Sequence, residues 1–314
     1  MAGHGSKTVI LAALGGNALI AGTKFVAAAF TGSAAMMSEG IHSLVDTGNQ
    51  ILLLYGMRQA ARPATAEHPF GYGLRLYFWA FVVAILIFGL GAGLSILHGI
   101  EKIRDPHPIQ DAWVNYIVLA LGIVFEGAVW MVAFKAFRAE KGDGGWIAAI
   151  RASKDPTIFT VLFEDSAALL GLVTALIGIA LAQTLEMPIL DGVASVIIGI
   201  ILALTAAFLA YECQSLLTGE GVSAPVRASI RSIAAAGNGV ERINESLTMH
   251  FGPNDVLVAL SLDFSNTLPA AGVEDTVSAI ERAIKAAHPD VTRVFVEAQS
   301  FEAHRRSLVE AAQG

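Results

Sequence analysis

The stretch Ser38-Glu39-Gly40-Ile41-His42-Ser43-Leu44-Val45-Asp46-Thr47-Gly48-Asn49-Gln50 lies inside an otherwise apolar run over residues 34–57. A run of that length suffices to cross a bilayer as a helix, which needs about 20 residues. Glu39, His42, Asp46 and Asn49 recur at offsets of three and four, so a helix sets them on one face. An ionisable side chain inside lipid is costly unless it faces a cavity or a partner, and so marks a functional pathway. His and Asp at i and i+4 stand about 6 Å apart and can grip one ion between them.

Outward from this segment, five further apolar runs cover residues 8–30, 75–100, 113–137, 157–183 and 189–213. Thr31-Gly32-Ser33, the polar loop from Arg58 to Tyr72, Arg104-Asp105-Pro106-His107-Pro108, the loop opened by Lys141-Gly142-Asp143-Gly144-Gly145, and Met187-Pro188 separate them. Proline lacks the amide donor that a helix interior needs, so it reinforces three of these breaks. The reading is a six-helix transmembrane domain over residues 1–213, followed by a soluble domain over 214–314. Residues Met1–Gly16 could pass for a secretory leader, but the apolar run continues to Phe30 and reads as the first span.

Composition agrees. Of 314 residues 54% are hydrophobic and 15% charged, well below the quarter or so that soluble domains carry, and the charges concentrate after Cys213. A net charge of -7 with no basic stripe excludes a nucleic-acid partner. A single cysteine excludes an internal disulfide and a CxxC zinc site; Cys213 itself reads as a small buried residue. With the N-terminus inside, the cytoplasmic side holds Lys7, Arg58, Arg62, Arg75, Lys135, Arg138, Lys141, Arg151 and Lys154. The opposite side holds only Lys102 and Arg104, a bias that places both termini in the cytoplasm.

The tail reads as a compact αββαβ domain. Ala224 to Ala236 forms the first helix, Leu247, Met249 and Phe251 alternate in a first strand, and Val256, Val258, Leu260, Leu262 and Phe264 in a second. Gly252-Pro253-Asn254-Asp255 turns between them. Val273, Val277, Ile280 and Ile284 recur at helical spacing, and Val291 to Phe301 reads as the third strand. The order suits a small sheet with helices on one face, and a domain of this size gains by burying surface in a dimer.

The fifth span carries Glu164-Asp165, adjacent carboxylates that repel each other in low dielectric unless a cation or proton compensates. A histidine among carboxylates suits Zn(II), Mn(II), Fe(II) or Co(II), and suits Cu(I) poorly because no thiolate or thioether is at hand. The ionisable groups gather in the second and fifth spans, which favours one shared site over scattered hydrogen bonds. Two rival readings are a membrane metalloenzyme and a membrane-tethered metal sensor. The first would be marked by Glu-x-x-His pairs repeated on several helices, and that repetition is absent; the second needs no carboxylates in mid-membrane.

His42-Ser43-Leu44-Val45-Asp46, with Asp165 in the fifth span, resembles the cation diffusion facilitator family (solute carrier family 30, zinc-transporter type). So do His68-Pro69-Phe70-Gly71-Tyr72-Gly73 before the third span and Tyr211-Glu212-Cys213-Gln214-Ser215-Leu216-Leu217 at the end of the sixth. The resemblance covers nearly the whole chain. It implies a homodimeric metal/proton antiporter with a ferredoxin-like cytoplasmic domain and no cofactor beyond the transported ion, zinc foremost with Mn, Fe, Co and Cd as alternatives. Asp46 and Asp165 match the family pattern, His42 stands where many zinc members have Asp, and the usual His four residues before Asp165 is Val161. Positions 161, 164, 165 and 168 share a helix face, so Glu164 points into the space of the missing ligand. The expected metal set is therefore His42, Asp46, Glu164 and Asp165.

The family's auxiliary sites look degraded. Tyr72 stands where the loop site of some members has a second His, leaving His68 with a structural role, and in the tail Glu241 and Glu297 replace histidines while His250 and His288 stand alone. Metal ligands must be deprotonated to bind, so a neutral interior loads metal and incoming protons eject it. Gly89, Gly91 and Gly93 offer a small-residue stripe, either a dimer contact or close packing within one subunit. The expected setting is a bacterial inner membrane.

Overall fold

The computed structural model describes residues 3–141 and 154–311. The expected loop at 142–145 and the cation Arg151 lie outside the described residues. Six long helices come first: α1 (Gly3–Thr31), α2 (Ala34–Ala60), α3 (Leu74–Arg104), α4 (Ala112–Lys141), α5 (Pro156–Thr184) and α6 (Ile189–Gly219). Each extends a few residues past the apolar run read from sequence, because a helix continues through its polar ends until a cap or turn stops it. Among the described residues, four stretches are long and apolar enough to cross a membrane: α3, Ala112–Lys135 of α4, Phe159–Thr184 of α5 and the helical stretch opening at Ile189. The chain is an integral membrane protein. Helix α2 falls short of that measure because its buried face is given to Ser38, Glu39, His42, Ser43, Asp46, Asn49 and Gln50.

Local chemistry sets the boundaries. Gly32 takes φ +66, a left-handed conformation that favours glycine, and makes the turn from α1 to α2. Ser33 caps α2, its Oγ accepting from Met36 N at 3.1 Å, and Asp155 caps α5 ahead of Pro156, accepting from Thr157 N at 2.9 Å. Helix α2 packs against α1, α3 and α5, while α4 packs against α1 and α5.

Of the glycine stripe, Gly91 lies against Leu202 of α6, 3.4 Å from where its β-carbon would stand. Residues Ile87–Ala92 form a π-turn within α3, and a β-carbon at Gly89 would meet nothing within 4 Å. A second close approach of α3 to α6 comes at Gly99 and Gly192, where a β-carbon on either would fall 2.7–2.8 Å from the other's carbonyl oxygen.

Contacts divide the chain into two compact units. One is built from residues up to Ala61 with Arg75–Gln214, the other from Arg62–Leu74 with the chain from Ser215 onward. The second unit contains α7 (Ala224–Ala235), β1 (Val240–Gly252), β2 (Asp255–Phe264), α8 (Ala270–Ala287), β3 (Val291–Ala298) and α9 (Phe301–Ala311). The sheet runs β1-β2-β3, antiparallel then parallel, so α8 is the crossover of a βαβ unit. Among the described residues the sheet has three strands, and α7, β1, β2, α8 and β3 follow the αββαβ order read from the sequence.

Ile230, Ala234, Ile280 and Ile284 of the helices meet Val256, Val258, Leu260 and Leu262 of β2 in the core. The β1 residues opposite those positions are His250, Thr248, Ser246 and Ile243, so the alternation of Leu247 and Met249 lies on the far face. There Leu247 is 55% exposed, and further along β1 Phe251 stacks on Phe70 with ring centroids 4.9 Å apart. The expected third strand, Val291 to Phe301, stops at Ala298. Ser300 ends it by capping α9: its Oγ accepts from Ala303 N at 3.3 Å, and Asp263 Oδ2 holds Phe301 N at 3.0 Å.

Candidate functional site

Helices α2 and α5 carry the four expected ligands into the interior. His42 is 1% exposed, Asp46 4%, Glu164 3% and Asp165 5%, so each has been stripped of water. His42 Nδ1 stands 3.3 Å from Asp46 Oδ1, but neither ring nitrogen of His42 makes a hydrogen bond. Asp46 Oδ1, Asp165 Oδ2 and Asn49 Oδ1 also lack partners. Buried polar atoms without partners are rare, and each asks for a ligand, a proton or water. Glu164 is held across the helix pair by Asn49, whose Nδ2 donates to Oε1 at 2.5 Å, and it also lies at hydrogen-bonding range of Asp46. Two buried carboxylates this close repel each other unless a proton or a cation lies between them.

The four side chains share a neighbourhood but not yet a coordination sphere. Among the described residues, no three His, Cys, Asp or Glu side chains are gathered closely enough to hold a metal ion as they stand. Val161, one turn before Asp165, is half-buried and offers no donor atom.

The structure also buries ionisable groups outside the second and fifth spans, among them Lys24 and Glu126, and Asp191 and Glu212 in the sixth. Lys24 of α1 is fully buried and Glu126 of α4 is 1% exposed. Lys24 Nζ donates to Glu39 Oε2 at 3.0 Å and to Ser43 Oγ at 2.7 Å. Glu126 lies within electrostatic reach of Asp46, Glu164 and Asp165 as well as of Lys24 and Glu39. The signal was available: each is a lone charge inside an apolar run, though without a partner at three or four residues on its own helix.

A latch closes the N-terminal end of α2. Asp191 of α6 accepts from Ser33 Oγ and Ala34 N, both at 2.7 Å, and from Ala35 N at 3.2 Å. Lys102 of α3 stands 4.0 Å from the same carboxylate and donates to Gly32 O at 2.7 Å.

The auxiliary residues are engaged elsewhere. His68 stacks on Tyr72 at 4.3 Å, His288 Nε2 contacts Ser229 Oγ at 2.9 Å, and Glu241 and Glu297 are exposed. Residues 10–218 match the family model described as the cation efflux transmembrane domain. The chain belongs to the cation diffusion facilitator family, of the solute carrier family 30 type. It is 33% identical over 262 residues to the Xenopus laevis protein named proton-coupled zinc antiporter SLC30A9, mitochondrial, covering 83% of this chain and 47% of that one. It is 26% identical over 288 residues to metal tolerance protein C4 of Arabidopsis thaliana, covering 89% and 63%, and 24% identical over 255 residues to the cation-efflux pump FieF of Klebsiella pneumoniae, covering 81% and 80%. The chain thus spans about half the length of the first of these relatives. The family is one of transporters, not enzymes, which removes the metalloenzyme reading.

Proposed function

We propose that this chain exports a divalent transition-metal cation in exchange for protons, with zinc the foremost cargo and Mn, Fe, Co or Cd as alternatives. His42, Asp46, Glu164 and Asp165 form the transport site. The observation that carries this reading is the set of buried, unpartnered donor atoms on His42, Asp46 and Asp165, brought together where α2 packs on α5. Proton exchange is supported by the approach of Asp46 to Glu164, two carboxylates that repel unless a proton or a cation lies between them, and by the need of metal ligands to be deprotonated before they bind. The relatives' names point the same way, one being a proton-coupled zinc antiporter.

The six long helices are the six spans of the membrane domain, residues 1–213, and the ferredoxin-like tail, 214–314, serves dimerisation and regulation. The protein is a homodimer in the lipid bilayer. An apolar strip on the outer face of the sheet supports this, since Leu247 and Phe295, 55% and 56% exposed, flank Ala259. The Lys and Arg distribution supports both termini on the cytoplasmic side, and the setting is a bacterial inner membrane. The test is zinc titration of the purified protein by calorimetry. Asp46→Ala and Asp165→Ala abolish tight binding, and Glu164→Gln weakens it; unchanged affinity in Glu164→Gln removes Glu164 from the ligand set.

A further inference from the structure

Beside the transport site lies a second buried charge cluster that the binding of metal does not use. Its centre is the Lys24–Glu39 pair, both side chains wholly inaccessible to solvent. Helix glycines make room for it. The Lys24 stem passes Gly122 of α4, its Cε 3.8 Å from where a β-carbon would stand, and Glu39 Oε1 rests against Gly171 of α5, where a β-carbon would overlap it. That same Oε1 is buried without a hydrogen-bond partner. A buried ion pair adds little net stability compared with an apolar pair of the same volume, so stability alone gives weak reason for it.

Glu39 lies on α2 one turn before His42, on the face that carries Asp46. Half of its carboxylate is engaged by Lys24 and half is free. We propose that Lys24 is a specificity-determining residue, a tethered cation that holds Glu39 out of the ligand set and limits the oxygen donors around the cargo. The inference rests on the transport site proposed above. With Lys24 in place, the ion meets one imidazole among three carboxylates, a donor set suited to borderline transition metals. With Lys24 removed, Glu39 becomes an uncompensated anion beside the site. A further carboxylate shifts preference toward hard, oxygen-seeking Ca2+ and Mg2+.

The test uses the full chain in proteoliposomes, with initial rates of Zn2+ uptake measured alone and against Ca2+ or Mg2+ as competitor. Lys24→Met is expected to lower discrimination against Ca2+ and Mg2+ by about tenfold or more, the scale of one charge-assisted contact. Lys24→Met/Glu39→Gln restores wild-type discrimination, because it has neither the tethered cation nor the freed carboxylate. Lys24→Arg keeps the charge and keeps discrimination. Where Lys24→Met does not fold, Lys24→Gln, which removes the charge while staying polar, gives the same readout. If the Lys24 variants slow all metals alike with discrimination unchanged, the pair merely fastens α1 to α2 and the inference is overturned. A wild-type protein that moves none of these ions overturns the transport reading itself, and this inference with it.

Discussion

Replacing Asp191 with alanine tests the helix packing at the N-terminal end of α2. The wild-type carboxylate is fully buried, accepts from Ser33 Oγ and from the backbone of Ala34 and Ala35, and faces the buried Lys102 ammonium. Alanine strands two backbone donors in the first turn of α2 and removes the nearer of the two anions, Asp191 and Asp105, that act on Lys102. An unsatisfied buried donor costs about 1–3 kcal/mol, and breaking a buried ion pair from one side about 3–5 kcal/mol. The contributions overlap, since the same oxygens serve both, so the expected loss is about 3–5 kcal/mol in all. Asp191→Asn keeps one acceptor oxygen and should lose only about half as much, because neutral hydrogen bonds are roughly half as strong as charge-assisted ones. Unfolding of the purified protein in mixed micelles, followed by tryptophan fluorescence, reads both values. An Asp191→Ala protein within about 0.5 kcal/mol of wild type, the scatter of an ordinary surface change, refutes the reasoning.

Three more outcomes follow from the geometry. A β-carbon at Gly73 overlaps the carbonyl oxygen of Phe251, so Gly73→Ala should cost about 1–3 kcal/mol and speed amide hydrogen exchange in residues 62–74. Ile280 is 2% exposed in the core of the tail; Ile280→Ala should destabilise that unit by about 2–5 kcal/mol, seen as faster exchange in β2. Val161→His places an imidazole one turn before Asp165 and should raise preference for zinc over manganese by about tenfold in competition uptake, since a second nitrogen donor favours the softer ion.

The sequence was legible where a single helix carries the whole pattern. His42 and Asp46 are one turn apart on α2, and Glu164 with Asp165 interrupts an apolar run, so their burial could be read from membrane energetics alone. Lys24 and Glu126 were missed because their partners sit on other helices, and spacing within one helix says nothing about a contact such as Lys24–Glu39. The Asp191 latch was invisible for the same reason, joining residues 157 and 158 positions apart. In the tail, β2 was read well because one of its faces is wholly apolar. On β1 the apolar alternation lies on the face turned away from the helices, and at β3 the pattern appeared to run through Ser300 because its role as a helix cap depends on the α9 turn that follows. Gly89, Gly91 and Gly93 carry the GxxxG spacing, but a second close approach of α3 to α6, at Gly99 and Gly192, joins two backbones that no local motif identifies.

The central claim is that cation passage through the α2–α5 site is exchanged for protons. Its most direct measurement is simultaneous recording of internal zinc and internal pH in proteoliposomes carrying separate fluorescent reporters of each. Zinc entering through wild-type protein should be accompanied by proton exit in step with it, with both signals lost in Asp46→Ala and Asp165→Ala. Zinc entry with no proton movement, or flux that persists in both variants, contradicts the account.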